Sequence, residues 1–540
     1  PSGPGRAAHR RIRVMSDSSA APATPTPLPS TPAMRQFAGF KARYPDCVLF
    51  FRMGDFYEMF GDDAELAHRV LGVTLTQRTE GVPMAGVPHH SVESYLRRML
   101  EAGHRVAICD QIQDPKEARG VVERAVTRVL TPGTLVDASF LEDAQPNRIA
   151  AVQFTGSGET SDALAAVAEL STGVFTLHTL EAPRLVDELR RLGLRELVHA
   201  ETADGVPPSR ITRLVEQLGC VASPTPAWNF RIDDAADLLR RHYRLQTLAG
   251  FGLADREPLV APAGALLRYL LDTQAPGDDP AEALQHLQPP VRRHHGRTMA
   301  LDTTTIRSLE LERTMRDGRS DGSLLAVFRG CSTPMGRRLL RDWLCFPLTD
   351  RDDIEQRHNA VAALHDDRTL ADALGEHLGT MQDLARIAGR LAVGRATPRD
   401  LVAYAASVRA AERVLPLLEE TPALAPHAER LRPGLDALRK LTAELEHACV
   451  DDPPAHTRDG GIFRDGYDPE LDEARALQRD ADAWLAEYQA GLIADTDIPS
   501  LKVGYNKVFG YYIEVTHVHT AKVPDTFTRK QTLKNAERYI

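Results

Sequence analysis

The residues best placed to do chemistry outside a core lie in the run FFRMGDFYEMFGDDA, which gathers Phe50, Phe51, Phe56, Tyr57 and Phe60 around a Gly-Asp turn. Spacing alone assigns most of these rings to a core. Phe56 and Glu58 differ from the others. If the chain after Gly54 is extended, side chains two apart project to the same side, and an aromatic ring then stands beside a carboxylate. A ring inserted between base steps kinks DNA, whereas a carboxylate among phosphates is unfavourable unless it bonds to a base edge. The pair makes sense as a reader of disturbed DNA, with burial in the core as the competing reading of Phe56.

Other reactive groupings have simpler explanations. Asp62, Asp63 and Glu65, or Asp352, Asp353 and Glu355, could be offered to a metal, but both sets fall at expected helix starts, where acids complement the dipole. His286, His294 and His295 share a stretch without a carboxylate or Cys partner at helical spacing, so no metal ligand set is assigned. The six cysteines are far apart and form no CxxC, which reads as buried, reduced thiols. The sequence contains no GxxxxGK[ST], GxSxG, HExxH or EF-hand pattern, so no catalytic residue is named.

The elements that must position Phe56 and Glu58 follow from composition and periodicity. A chain of 540 residues is expected to form three or four domains. Its net charge of −10 argues against a simple polycation, yet a local basic surface remains open because electrostatic capture acts over a Debye length of roughly 10 Å. No apolar run approaches the roughly 18 residues of a membrane span. Residues 1–33, rich in Ala, Pro, Ser and Thr, read as a disordered tail, with Met15 a plausible start and a transit peptide the lesser alternative.

Residues 34–140 read as an α/β domain, in which SVESYLRRMLEAG forms a helix capped by Ser91 and Gly103 and leads into the strand RVAICDQ. Residues 147–285 form a second α/β domain with strands IAAVQF, GVFTLHTL and ELVHAE. Residues 292–465 turn almost purely helical, and STPMGRRLLRDWL starts with a Ser332/Thr333 cap and Pro334. Residues 466–540 hold a long helix whose Leu471, Ala474, Leu477, Ala481, Trp484 or Leu485, Tyr488 and Leu492 stripe predicts helix–helix packing. A small antiparallel β module follows, with KVFG as a hairpin loop between LKVGYN and YYIEVT. The fold class expected is thus multidomain α/β plus all-α with a small antiparallel sheet.

The run GDFYEMFGDDA, followed by PMAGVPHHSVESYL, VAICDQ and TPGT, closely resembles the mismatch-binding domain of the bacterial MutS mismatch-repair family. STPMGRRLLRDWLCFPL resembles that family's helical core, and IPSLKVGYNKVFGYYIEVT with RKQTLKNAERYI resembles its clamp, so the likeness runs from about Met34 to Ile540. The resemblance implies that 34–140 binds mismatches, 147–285 is a ribonuclease-H-like connector, 292–465 is core and lever, and 466–540 is the clamp with its supporting helix. It implies that Phe56 stacks on a mispaired or unpaired base while Glu58 hydrogen-bonds to it. It places Arg78 in a segment along DNA, and Lys507, Arg529, Lys530, Lys534 and Arg538 against the DNA backbone.

The expected partner is double-stranded DNA carrying mismatches or small loops, and the expected location is cytoplasmic, at the nucleoid. Family members continue into an ATPase domain using ATP and Mg, which also supplies the main dimer interface. The sequence stops before such a domain, as a fragment or a truncated gene product would, so no cofactor and no enzyme activity are expected of this chain. The dimer and the downstream repair partner are expected only of a full-length protein. IAAVQF lacks an Asp on the first connector strand, which argues against a metal-dependent nuclease. The alternative to mismatch recognition is a structural interaction protein that binds repair partners and keeps only vestigial DNA affinity.

Overall fold

The computed structural model describes residues 31–540 except 80, 114–121, 159, 276–278, 280, 294, 329 and 507–509. The described residues divide into two compact units, one ending at Leu438 and the other running from Arg439 to Ile540. The first unit opens with helix α1 (Pro32–Arg43), whose N-terminus is closed by the Thr31 hydroxyl accepting from the Met34 N–H and by Pro32 in the first turn. There follow β1 (Cys47–Met53), β2 (Phe56–Phe60), α2 (Asp62–Leu71), β3 (Thr76–Thr79), β4 (Val82–Pro88), α3 (Val92–Glu101), β5 (Arg105–Gln111) and β6 (Arg124–Leu130).

The six strands form one sheet in the order β3-β4-β2-β1-β5-β6, with β1 and β5 parallel and the other pairs antiparallel. Both faces carry a core. Val48, Phe50, Tyr57, Met59, Val106 and Ile108 pack on one side with residues of α2 and α3, and Leu49, Phe51, Phe60, Ala107 and Cys109 pack on the other with Phe37 of α1. Ser91 makes no side-chain cap to α3, contrary to expectation, because a short 3-10 turn over His89–Ser91 precedes the helix. The acids of 62–65 do start α2, but Asp63 is buried and ion-paired to Lys41 at 2.8 Å while accepting from the Leu49 N–H.

A second sheet is built from β7 (Arg148–Phe154), β8 (Ala163–Glu169), β9 (Val174–Leu180), β10 (Leu194–Ala200), β11 (Val221–Thr225) and β12 (Val291–Arg292), with helices α4 (Leu185–Leu192), α5 (Ser209–Leu218), α6 (Ile232–Tyr243) and α7 (Val260–Gln274) between them. Its order is β11-β10-β7-β8-β9-β12, antiparallel through β7, β8 and β9 and parallel where β10 meets β7 and β11. The joint with the first sheet is centred on Glu196, which is fully buried. Its carboxylate accepts from Thr131 Oγ1 (2.5 Å), the Gly133 N–H (2.9 Å), Ser223 Oγ (2.6 Å) and the Tyr269 hydroxyl (2.5 Å). A buried carboxylate persists only when so many donors replace water. A Cβ on Gly133 would lie 2.7 Å from that of Glu196, so only glycine permits the approach.

The remainder of the first unit is helical, with α8 (Thr303–Ser308), α9 (Leu324–Val327), α10 (Pro334–Cys345), α11 (Arg351–Asp366), α12 (Arg368–Gly379), α13 (Leu384–Ala392), α14 (Pro398–Glu419) and the start of α15 (Ala425–Ala448). Thr333 caps α10 by accepting from the Gly336 N–H, with Pro334 next, as its sequence predicts. Arginines rivet this region to the segment before β7: Arg338 forks onto Asp383 and donates to the Asp143 carbonyl, and Arg386 donates to the carbonyls of Glu142 and Gln145.

In the second unit α16 (Pro469–Thr496) precedes a four-stranded antiparallel sheet of β13 (Lys502–Asn506), β14 (Gly510–Thr516), β15 (Arg529–Thr532) and β16 (Ala536–Tyr539), ordered β13-β14-β16-β15. Ile498, Leu501, Ile513, Val515 and Tyr539 make its core, with Leu492 and Ile493 of α16 packed against them. The expected helix–helix burial of the α16 stripe is corrected. Leu477, Trp484 and Tyr488 are exposed, and Trp484 and Tyr488 stack on each other at 5.2 Å. Only the C-terminal end of the stripe meets the small sheet. Of the expected KVFG loop, residues 507–509 lie outside the described residues and Gly510 opens β14.

Candidate nucleic-acid interface

Phe56 and Glu58 are fixed by a tight hairpin. Met53 pairs with Phe56, so Gly54 and Asp55 alone connect β1 to β2, and Gly54 takes the positive φ of 58° that this connection requires. Within β2 the alternation then separates two sets. Tyr57 and Met59 enter the core shared with α2 and α3, while Phe56, Glu58 and Phe60 share the opposite face. On that face Phe60 lies under Phe37 of α1, with ring centroids 5.0 Å apart. Phe56, nearer the hairpin, is 47% exposed, whereas Phe50, Phe51 and Phe60 are buried.

The ground beside the pair is cleared by Gly86, which lies opposite Glu58 on β4. A Cβ at Gly86 would touch the Phe56 ring at 3.8 Å and Glu58 Cγ at 3.9 Å, so the glycine leaves the surface between them open. Tyr57 anchors the strand from below by donating its hydroxyl to Asp110 at 2.5 Å, and burial together with that bond pushes its phenol pKa up. Arg124 of β6, mostly buried, reaches the same face. Its guanidinium lies 4.9 Å over the Phe51 ring and donates to the Arg52 carbonyl (2.8 Å), the Gln36 side chain (3.1 Å) and the Val122 carbonyl (3.0 Å). Burial lowers the Arg124 pKa, and the Cys109 sulfur and Glu58 carboxylate oppose that shift.

Arg124 and Gly86 were not anticipated as neighbours of the pair. An Arg at the head of the strand RAVTRVL, before the buried Val126, was the available signal for the first. Arg78 lies in edge strand β3, at a shift of register between Gln77 and Thr79 against β4. A residue at such an irregularity leaves the regular ladder.

The basic residues of the second unit separate into two kinds. Arg538 donates to Glu514 (2.9 Å) and Gln531 (3.2 Å) and lies 4.2 Å over the Tyr512 ring, so its charge is engaged within the sheet. Arg529 donates to Glu537 at 3.2 Å, although its side chain is largely exposed. Lys530 is exposed at the register shift of β15, and Lys534 is exposed in the connection to β16. Lys507 lies outside the described residues. At the end of β13 and β14 the directly paired Tyr505 and Tyr511 are 62% and 57% exposed, their rings edge to face at 5.1 Å. Their alternation shares a side with Val503 and Ile513, but the hydrophobic cover has ended before it reaches them.

Among the described residues no helix is long and apolar enough to cross a membrane. Three family models match in chain order: MutS domain I over residues 31–139, MutS domain II over 147–288 and MutS domain III over 304–535. The DNA mismatch repair protein MutS of Salinibacter ruber is 40% identical over 516 residues, 94% of this chain and 55% of that protein. That of Symbiobacterium thermophilum is 42% identical over 526 residues, 95% of this chain and 58% of its own. That of Methanococcoides burtonii is 36% identical over 521 residues, 94% of this chain and 57% of its own. The chain therefore spans somewhat over half the length of the curated relatives it matches. With three successive domain models and relatives of one name aligned along nearly all of its length, the chain belongs to the MutS family and carries its domains I, II and III.

Proposed function

We propose that this chain recognises mispaired or unpaired bases in duplex DNA as part of DNA mismatch repair. The observation that carries the reading is Phe56, an exposed ring at the end of a strand whose neighbouring aromatics are all buried, standing beside Glu58 on a face kept open by Gly86. Phe56 enters the stack from the minor groove, and the cost of unstacking, a few kcal/mol per step, falls where pairing is already faulty. Glu58 accepts a hydrogen bond from the displaced base and repels intact phosphate-lined duplex. In this reading residues 34–140 are the mismatch-binding domain, 147–285 the connector, 292–465 the core and lever, and 466–540 the clamp. Lys530 and Lys534 supply sequence-independent grip, with Arg529 and the engaged Arg538 contributing less. Arg78 and Lys507 are assigned to the DNA backbone on the family resemblance alone.

The relatives are named as DNA mismatch repair proteins, which supports the same assignment. ATP and Mg, which the resemblance attaches to a further domain, find no GxxxxGK[ST] run in these 540 residues. Titration of the chain with a homoduplex and a single-mismatch duplex at two salt concentrations tests the reading. Tighter mismatch binding that persists at the higher salt is expected. Equal affinities at both concentrations would favour an interaction protein with residual charge attraction for DNA.

A further inference from the structure

Arg124 occupies an unusual position for a cation. It is only 9% exposed, yet it lies on the same sheet face as Phe56 and Glu58, separated from β2 by the two strands β1 and β5. From β6 it crosses above β5 and covers Phe51, the residue directly paired with Glu58. It donates to the carbonyl of Arg52, in the last pairs of the hairpin stem before the turn, and its guanidinium also contacts Met53 Sδ at 3.5 Å, Met53 being the residue paired with Phe56. On the far side it holds Gln36 of α1, the helix that covers the rest of this face. One side chain thus touches the hairpin stem, the covering helix and Phe51, the cross-strand neighbour of Glu58, close enough for the Glu58 carboxylate to favour its charge.

Neither packing nor solubility requires a guanidinium there. An aliphatic side chain would fill the space over Phe51, and a buried cation carries a desolvation cost that only its acceptors and a nearby anion offset. The planar fork serves three acceptors at fixed angles, which a flexible ammonium does less well.

We infer that Arg124 is a positioning residue for mismatch discrimination, a cation that holds the Gly54–Asp55 hairpin and directs the Glu58 carboxylate toward the base. The inference rests on the proposed role of Phe56 and Glu58 and assigns the group that orients them. Arg124 does not itself touch DNA in this account. Its loss should change the ratio of mismatch to homoduplex affinity and leave phosphate-driven binding in place.

The test is a double-mutant cycle on the 540-residue chain with Arg124→Met, Glu58→Gln and both together, reading the affinity ratio for a single-mismatch over a fully paired duplex. Each variant is also melted. Arg124→Met should lower the ratio roughly tenfold with homoduplex affinity within about twofold of wild type, and adding Glu58→Gln should lower it little further, because both changes remove one unit. Arg124→Lys, which keeps the charge and perturbs packing least, should recover more than half of the lost discrimination on a logarithmic scale. Strictly additive effects, or a folded Arg124→Met or Arg124→Lys variant whose ratio contradicts these values, would overturn the inference. Equal affinity of wild type for both duplexes would overturn the reading beneath it, and the inference with it.

Discussion

The open end of the first sheet and the small sheet of residues 502–539 both offer side chains suited to DNA, but they are built differently. Around Phe56 the sheet has a core on each face, and strand pairing, the Tyr57–Asp110 bond and the Arg124 fork fix the surroundings. The small sheet has one core, and Lys530 and Lys534 stand out on a register shift and a turn. Discrimination depends on geometry held to a fraction of an ångström, whereas grip on phosphates needs charge within reach and tolerates movement. Where a cation of the small sheet is fixed, as Arg538 is by Glu514 and Tyr512, its charge is spent inside the protein.

The largest effect that could break this contrast lies just beneath the surface. Phe51, fully buried under Phe37 and Arg124, should cost about 3–5 kcal/mol of stability when changed to Ala. Chemical denaturation monitored by circular dichroism would check it. A loss below about 1 kcal/mol would mean that Phe51 does not make the site's surroundings rigid. Glu58→Ala comes next and should lower mismatch preference severalfold while homoduplex affinity stays level or rises, because a repulsion with phosphates is removed along with a base contact. A fall in both affinities by the same factor would make Glu58 a structural residue.

In the small sheet, Lys530→Ala should weaken homoduplex and mismatch binding alike and reduce the dependence of log affinity on log salt by about one unit. Loss confined to mismatched DNA would remove the distinction between grip and discrimination. The smallest effect concerns Glu537, whose pKa is held below 4.5 by hydrogen bonds from Tyr539 and then Arg529. A lowered carboxylate pKa stabilises the fold above the unfolded value and loses that contribution as pH falls through the folded one. Side-chain carboxyl NMR should therefore show Glu537 titrating below 4.5, and Arg529→Gln should raise its midpoint. An unchanged midpoint would show that Arg529 is not held there and is as available as Lys530.

What was legible in the sequence follows the same division. Phe56 and Glu58 could be read because an extended chain puts alternate residues on one side, and β2 is extended. The hairpin was legible in its Gly-Asp pair. Strand β8 was not recognised, since ALAAVAE is a helix former by composition. Its seven residues are all buried in the middle of a sheet, where small side chains let other elements approach. Arg124 was missed because its partners lie 72 and 88 residues away in sequence, and no local pattern encodes such contacts. The α16 stripe shows the converse. Periodicity describes a face that can be covered, and Leu477, Trp484 and Tyr488 are nevertheless exposed.

The central claim is that Phe56 reads DNA and does not fill a core, and melting and binding measured on one preparation of Phe56→Ala test it most directly. Stacking of a ring on a base is worth roughly 1–3 kcal/mol, so the variant should lose most of its mismatch preference. It should keep homoduplex affinity near wild type and melt close to it, since the ring is already 47% exposed. A variant that melts far earlier yet, while folded, retains the wild-type preference for mismatched DNA would contradict the account.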